Sequence, residues 1–146
     1  MLALGFDFGL RRIGVAIGST ASGRARGLQV MDSRDGVPDH RALDALIKEW
    51  QPDRLIVGLP YNNDGSDSHM TRAARRFAGR LQDRYRITAV LVDERLSSRD
   101  AESRLREQRR SGARKRRIRR ADVDREAAAV ILQAWLDANG GLTSRT

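Results

Sequence analysis

The chain of 146 residues contains no cysteine, which excludes disulfides, thiolate metal sites, zinc ribbons and a cysteine nucleophile. Lysine is nearly absent as well. Only Lys48 and Lys115 occur, against 26 arginines, and neither lies in a phosphate-loop motif, so a P-loop ATPase is excluded. The two histidines, His40 and His69, fall at helix starts and outside any metal or nucleophile spacing, as surface histidines do. No apolar run approaches the length of a membrane span, and the first residues lack the charged-then-apolar order of a secretory signal. The expectation is a cytoplasmic protein with no membrane partner. A hydrophobic fraction of 40% supports one ordinary core, and 146 residues make one domain spanning 1–146 rather than two.

Positive charge is what the chain has in excess, and nearly all of that excess is local. The segment Arg109–Arg120 holds eight basic residues and no acid, which leaves 20 basic against 19 acidic residues elsewhere for a net charge of +9. Like charges packed so closely repel unless a polyanion lies against them. This basic loop, at about 109–121, therefore points to nucleic acid, with Arg114, Lys115, Arg116 and Arg117 as candidate substrate contacts. The competing reading is a solvated loop in an arginine-rich chain.

Periodicity and punctuation give the elements. Residues 2–8, 12–18 and about 25–32 read as three strands joined by short Gly- and Ser-rich connections, the pattern of an antiparallel meander. A helix opened near Pro38-Asp39 carries Leu43, Leu46, Ile47 and Trp50 on one face and closes at Gln51-Pro52, which makes Trp50 core rather than a stacking platform. Leu55–Leu59 is a short apolar strand of the kind buried on both faces. A second helix has Met70, Ala74, Phe77 and Leu81 in register, residues 87–92 form the next strand, and Ser97 with Asp100 caps a helix to about 108. Val123, Ala127, Val130, Ile131 and Ala134 mark a last helix, ended by Gly140-Gly141. The order βββαβαβα predicts an α/β fold with a five-stranded mixed sheet and helices on both faces.

Within this frame, Asp7 is out of place. It sits in the otherwise buried strand Met1–Gly9, and an ionised carboxylate in an apolar setting is costly unless a cation or donor faces it. Asp93 and Glu94 end a later strand, where sites of such sheets gather; alternation points them to opposite faces, and spacing does not choose between them. On the last helix, Asp124 shares a face with Ala128, Ile131 and Trp135, whereas Asp122 fits a helix N-cap. Carboxylates from a first strand, a later strand end and a C-terminal helix suit two-metal phosphodiester hydrolysis with Mg²⁺ or Mn²⁺. One metal would lower the pKa of the attacking water and the other stabilise the leaving oxygen. Structural salt bridges to the abundant arginines are the alternative, although buried pairs are poor stabilisers.

Four linked blocks carry a family resemblance along nearly the whole chain: Gly5–Ala16, Ile56–Pro60 with Asp64-Gly65, Asp93–Ser98, and Val123-Asp124 leading into Ala127–Leu132. Together they resemble the YqgF (RuvX) family. The resemblance implies an RNase H-like fold, a bacterial cytoplasmic setting, and a nuclease that matures the 5′ end of pre-16S rRNA; it also implies an older label, Holliday-junction resolvase. It places the catalytic and metal-holding acids at Asp7, Glu94 and Asp124, choosing Glu94 over Asp93.

Arg11, Arg12 and Arg95 flank these motifs and are candidates to hold substrate phosphates, with Arg95 equally able to orient Glu94. Tyr61 is the best-placed aromatic to stack a base, in a segment, Pro60–Gly65, that is also ordinary turn chemistry. Three functions follow: a metal-dependent nuclease for structured RNA, a DNA junction endonuclease using the same acids, and a non-catalytic nucleic-acid binder in ribosome assembly. The first is the expectation. The chain would be a monomer or a homodimer, and a resolvase that cuts two symmetric strands requires the dimer.

Overall fold

The computed structural model describes residues 1–94 and 119–143, apart from the side chains of 140–143. Its centre is one mixed sheet in the order β4-β3-β2-β1-β5-β6. The strands are β1 (Leu2–Asp7), β2 (Arg12–Ser19), β3 (Arg24–Arg34), β4 (Val37–Pro38), β5 (Arg54–Leu59) and β6 (Ala89–Asp93). Strands β1, β2 and β3 form the antiparallel meander read from the sequence, while β5 and β6 lie parallel to β1.

The sheet has six strands where five were expected. The sixth, β4, pairs with β3 through a hairpin whose two central residues, Asp35 and Gly36, have φ of 51° and 85°. An Asp-Gly pair adopts that doubly left-handed turn readily, and its twist matches the flanking strands. The dipeptide was visible in the sequence; a strand of two residues carries no alternation of its own.

Two helices cover one face. Helix α1 (His40–Trp50) starts at Asp39, whose carboxylate accepts the amides of Arg41 and Ala42, and stops at Gln51 with φ 44°, just ahead of Pro52. Helix α2 (His69–Tyr85) opens with a capping box between Ser68 and Thr71. Their apolar stripes meet Leu4, Phe6 and Phe8 of the first strand region, together with Leu55, Val57 and Leu59 of β5. Trp50 packs against this cluster while remaining half-buried.

Helix α3 (Arg120–Thr143) covers the other face, against Ala3, Ala16 and Ile56. It runs past Gly140 and Gly141, which were expected to end it; a glycine costs only about 1 kcal/mol relative to alanine inside a helix, too little to stop one by itself. It also begins earlier than expected. Asp122 lies inside the first turn rather than at the N-cap, and its carboxylate reaches back to the amide of Arg119 while pairing with Arg125. The helix lies very close to the sheet, because its path crosses glycines. A Cβ on Gly14 would stand 2.1 Å from the carbonyl oxygen of Asp124, and one on Gly5 would stand 2.8 Å from Cβ of Leu132. The expected helix to about 108 falls outside the described residues, as does the basic loop at 109–121 except for Arg119 and the first two residues of α3.

Candidate active site

Strands β1, β5 and β6 are parallel and end together, at Asp7, Leu59 and Asp93. Side chains alternate along them, so each strand sorts its residues between the two helical layers. In β1, Ala3 packs under α3 and Leu4 under α1 and α2, which puts Asp7 on the α3 face. In β5 that face carries Ile56, and in β6 it carries Val90 and Val92. Continuing β6 by the same parity puts Glu94 on the face of Asp7 and leaves Asp93 exposed on the other. The chain held beside β5 by a hydrogen bond from the Glu94 amide to the carbonyl of Leu59 keeps that parity past the end of the strand.

Asp7 and Glu94 meet across Gly58, which lies one residue beyond the Phe6–Val57 pair of β1 and β5. A Cβ there would lie 2.3 Å from Oε2 of Glu94 and 2.5 Å from Cδ1 of Ile131. Only a residue without a side chain leaves room for the glutamate to lie over the strand. Gly58 was not singled out from the sequence, although an isolated glycine in an apolar strand is a recognised sign of close approach.

The two carboxyl groups share a hydrogen bond and are withdrawn from water. Burial pushes Asp7 up to about 6; the hydrogen bond from Glu94 opposes that rise, and the charge of Asp124 adds to it. Burial, followed by the charge of Asp7 and the hydrogen bond to it, pushes Glu94 up to about 9. Burial and mutual repulsion thus hold both carboxyls above the usual carboxylate range, so the pair resists carrying two charges at once.

Asp124 enters from near the start of α3, where the contact of its backbone with Gly14 fixes its height above the sheet. Its carboxylate accepts a hydrogen bond from Nε of Arg12 at 2.8 Å, with both side chains partly exposed. Arg12 starts β2 on the same face, two residues before Gly14, the partner of Asp7. The structure thus gathers Asp7, Glu94, Asp124 and Arg12. Arg11 is exposed and lines a different cavity, beside Asp32, Ser33 and Asp39. Tyr61 sits at the same end of the sheet, but its hydroxyl accepts from Arg75 at 3.2 Å and its ring lies under the Arg75 guanidinium, toward α2. Arg95, Arg114, Lys115, Arg116 and Arg117 lie outside the described residues.

The donor set suits a hard divalent cation. It consists of carboxylate oxygens, from two carboxyls buried together where a cation would neutralise both. Among the described residues, no three acidic or histidine side chains are drawn together closely enough to hold an ion as they stand; Asp124 is turned to Arg12 instead. The described residues contain no helix long and apolar enough to cross a membrane.

A family model described as RuvX, Holliday junction resolvase, matches residues 1–138. A Pseudomonas fluorescens SBW25 protein named "Putative pre-16S rRNA nuclease" is 46% identical over 141 residues, covering 97% of this chain and 95% of that protein. A Pseudomonas aeruginosa PAO1 protein of the same name is 47% identical over 136 residues, covering 92% and 91%. Among solved structures, Thermus thermophilus RuvC in complex with Holliday junction substrate matches with a TM-score of 0.60 at 14% identity, over 97% of this chain and 96% of that one. The fowlpox virus resolvase bound to Holliday junction DNA matches at 0.59 and 10% identity, over 94% and 98%. Likenesses at those identities speak for the fold, and it is the RNase H-like fold of resolvases.

Proposed function

This chain belongs to the RuvX family, and from that premise we propose that it is a metal-dependent nuclease that hydrolyses phosphodiester bonds in nucleic acid, processing the 5′ end of pre-16S rRNA. The observation that carries this reading is the buried pair of Asp7 and Glu94, on one face at the ends of two parallel strands, with Asp124 beside them. A fold gains no stability from burying two carboxyls together, so the pair needs a use. The names of the relatives favour RNA over a DNA junction as substrate.

In this reading Asp7, Glu94 and Asp124 hold Mg²⁺ or Mn²⁺. The metal supplies Lewis acidity and a water of lowered pKa. Asp7, rooted in a central strand, fixes the position of the site. Glu94, seated in the room that Gly58 leaves it, would supply a second carboxylate to the cation. Asp124, which now accepts a hydrogen bond from Arg12, would be the third carboxylate, and the Arg12 guanidinium beside it would be placed to hold a phosphate oxygen of the substrate. Arg11, Arg95, Arg114, Lys115, Arg116 and Arg117 are proposed as further phosphate contacts, and Tyr61 as a stacking surface at the rim. Action on ribosomal precursor places the protein in the cytoplasm. A single cut needs only a monomer, whereas resolving a junction needs a homodimer.

The test is cleavage by the wild type and by Asp7→Asn, with Mn²⁺ and with EDTA, on precursor rRNA and on a four-way DNA junction in parallel. Metal-dependent cutting of the RNA that vanishes in Asp7→Asn is the expected result. Preferential cutting of the junction would replace the RNA reading with resolution, and binding of both without cutting in any metal would overturn the nuclease.

A further inference from the structure

Helix α2 carries a second basic feature, on the opposite side of the sheet from the acids. Arg72, Arg76, Arg80 and Arg84 follow one another at intervals of four and are all exposed, so they form one ridge with a step of about 6 Å along the helix axis. Like charges at this spacing repel and cost a helix stability. Acidic partners do not offset them. Asp83 is the one acid of α2, Asp67 is engaged by Arg75 near Arg72, and only Arg84 is fully paired, in a two-pronged contact with Asp44 at 2.9 and 2.8 Å. The guanidiniums of Arg76 and Arg80 have no hydrogen-bond or ion-pair partner among the described residues.

A cavity of about 320 Å³ opens beside the ridge between α1 and α2. Val37, Leu43, Phe77 and Leu81 give it apolar walls, with Arg80 and Arg84 also lining it. That volume suits a small planar group. Forked cations in a row, next to an apolar recess, match the two halves of a nucleotide: a phosphate for the guanidiniums and a base for the recess.

We propose that the arginine ridge of α2 is a track for single-stranded RNA, holding successive phosphates on Arg72, Arg76 and Arg80 and admitting one unstacked base to the cavity between α1 and α2. The proposal deepens the nuclease reading by adding a contact outside the cleaving face. The ridge starts at the right place for this. Since α2 follows β5, its N-terminus and Arg72 lie at the end of the sheet where Asp7 and Glu94 stand, so a strand leaving the acids over that rim reaches Arg72 first.

The experiment is equilibrium binding of a labelled single-stranded RNA to the full chain in EDTA across a salt series, with wild type, Arg76→Glu/Arg80→Glu and Arg76→Lys/Arg80→Lys. Each lost phosphate contact removes about 0.7 from the slope of log K against log salt. The Glu pair is expected to bind at least about tenfold more weakly near 0.1 M salt with a slope lower by about 1.4, and the Lys pair to keep the slope. Unchanged affinity and slope in the Glu pair would overturn the track, including the case where that variant loses affinity only for an acidic polypeptide such as polyglutamate. Val37→Trp, at an exposed edge of the cavity, is expected to abolish the preference for RNA bearing bases over abasic RNA of equal length; an unaltered preference would remove the base site. Because cleavage plays no part in these readings, they fail or succeed separately from the nuclease.

Discussion

Arg12 holds Asp124 through a 2.8 Å hydrogen bond that ties the start of β2 to the N-terminal part of α3. The contact occupies the carboxylate that a cation would need. Removing the guanidinium should therefore strengthen metal binding even as it weakens the grip on substrate. For a partly exposed pair the competition is worth about 0.5–1 kcal/mol, so Arg12→Gln is expected to bind Mn²⁺ about two- to fivefold more tightly by calorimetry, with a raised KM for RNA. Weaker Mn²⁺ binding would show that Arg12 positions Asp124 for the ion rather than competing with it.

Asp7→Asn should stabilise the metal-free protein while abolishing cleavage. The substitution replaces a buried charge with a neutral amide that can still hydrogen-bond Glu94, removing a desolvation cost of about 1–2 kcal/mol. At about 3 °C per kcal/mol for a chain of this size, Tm in EDTA at pH 8 should rise by roughly 3–6 °C. A lower Tm would mean that the ionised carboxylate supports the fold.

The pH dependence of stability without metal follows from the same two groups. Asp7 and Glu94 both have raised folded pKa values, so the native state binds more protons than the unfolded chain, and stability falls as pH rises. The loss begins near the ordinary carboxylate pKa of about 4, continues until Asp7 ionises at about 6, and extends until Glu94 does at about 9. Asp44, held down to about 2 by Arg84, acts with the opposite sign and matters only in acid. Urea midpoints in EDTA should drop between pH 5 and pH 9, and saturating Mg²⁺ should flatten that decline. A midpoint that rises over this range would contradict the buried pair.

Gly58→Ala and Gly79→Ala form a matched test of the seat under Glu94. A methyl group at 58 collides with Glu94 and Ile131, so a loss of about 1–3 kcal/mol and a large drop in cleavage are expected. At 79, in the exposed interior of α2, nothing lies within 4 Å, and alanine should add about 1 kcal/mol with cleavage unchanged. Denaturation and cleavage assays on both variants check this, and full activity in Gly58→Ala would show that Glu94 can sit elsewhere.

Much of this arrangement is legible in the sequence, and the parts that are not share a cause. Asp7 stands out because a strand rejects it, and Asp124 because the helical wheel places it with Ala128 and Ile131, both buried. Alternation alone separates Asp93 from Glu94 without saying which faces the site. That choice depends on parity carried from Ala3 through Ile56 to Val90, which is a matter of strand register. The start of α3 was misplaced for a local reason: its first turn takes in Arg120, at the end of a run of arginines that reads as loop. The engagement of Asp124 by Arg12 joins residues at opposite ends of the chain, and no spacing rule relates them.

The close seating of α3 on glycines acts as a mechanical stop. Where helix backbone rests against strand backbone, as Asp124 does at Gly14, the separation is set by atoms that no substitution in the helix can remove. The side chains of Ile131, Leu132 and Leu136 fill the layer around that stop. Trimming one of them would leave a void and lower the melting point, yet the carboxylate of Asp124 would keep its place relative to Asp7. Durability and alignment are thus separate properties of this helix, and drift in the first can be tolerated without blunting the second.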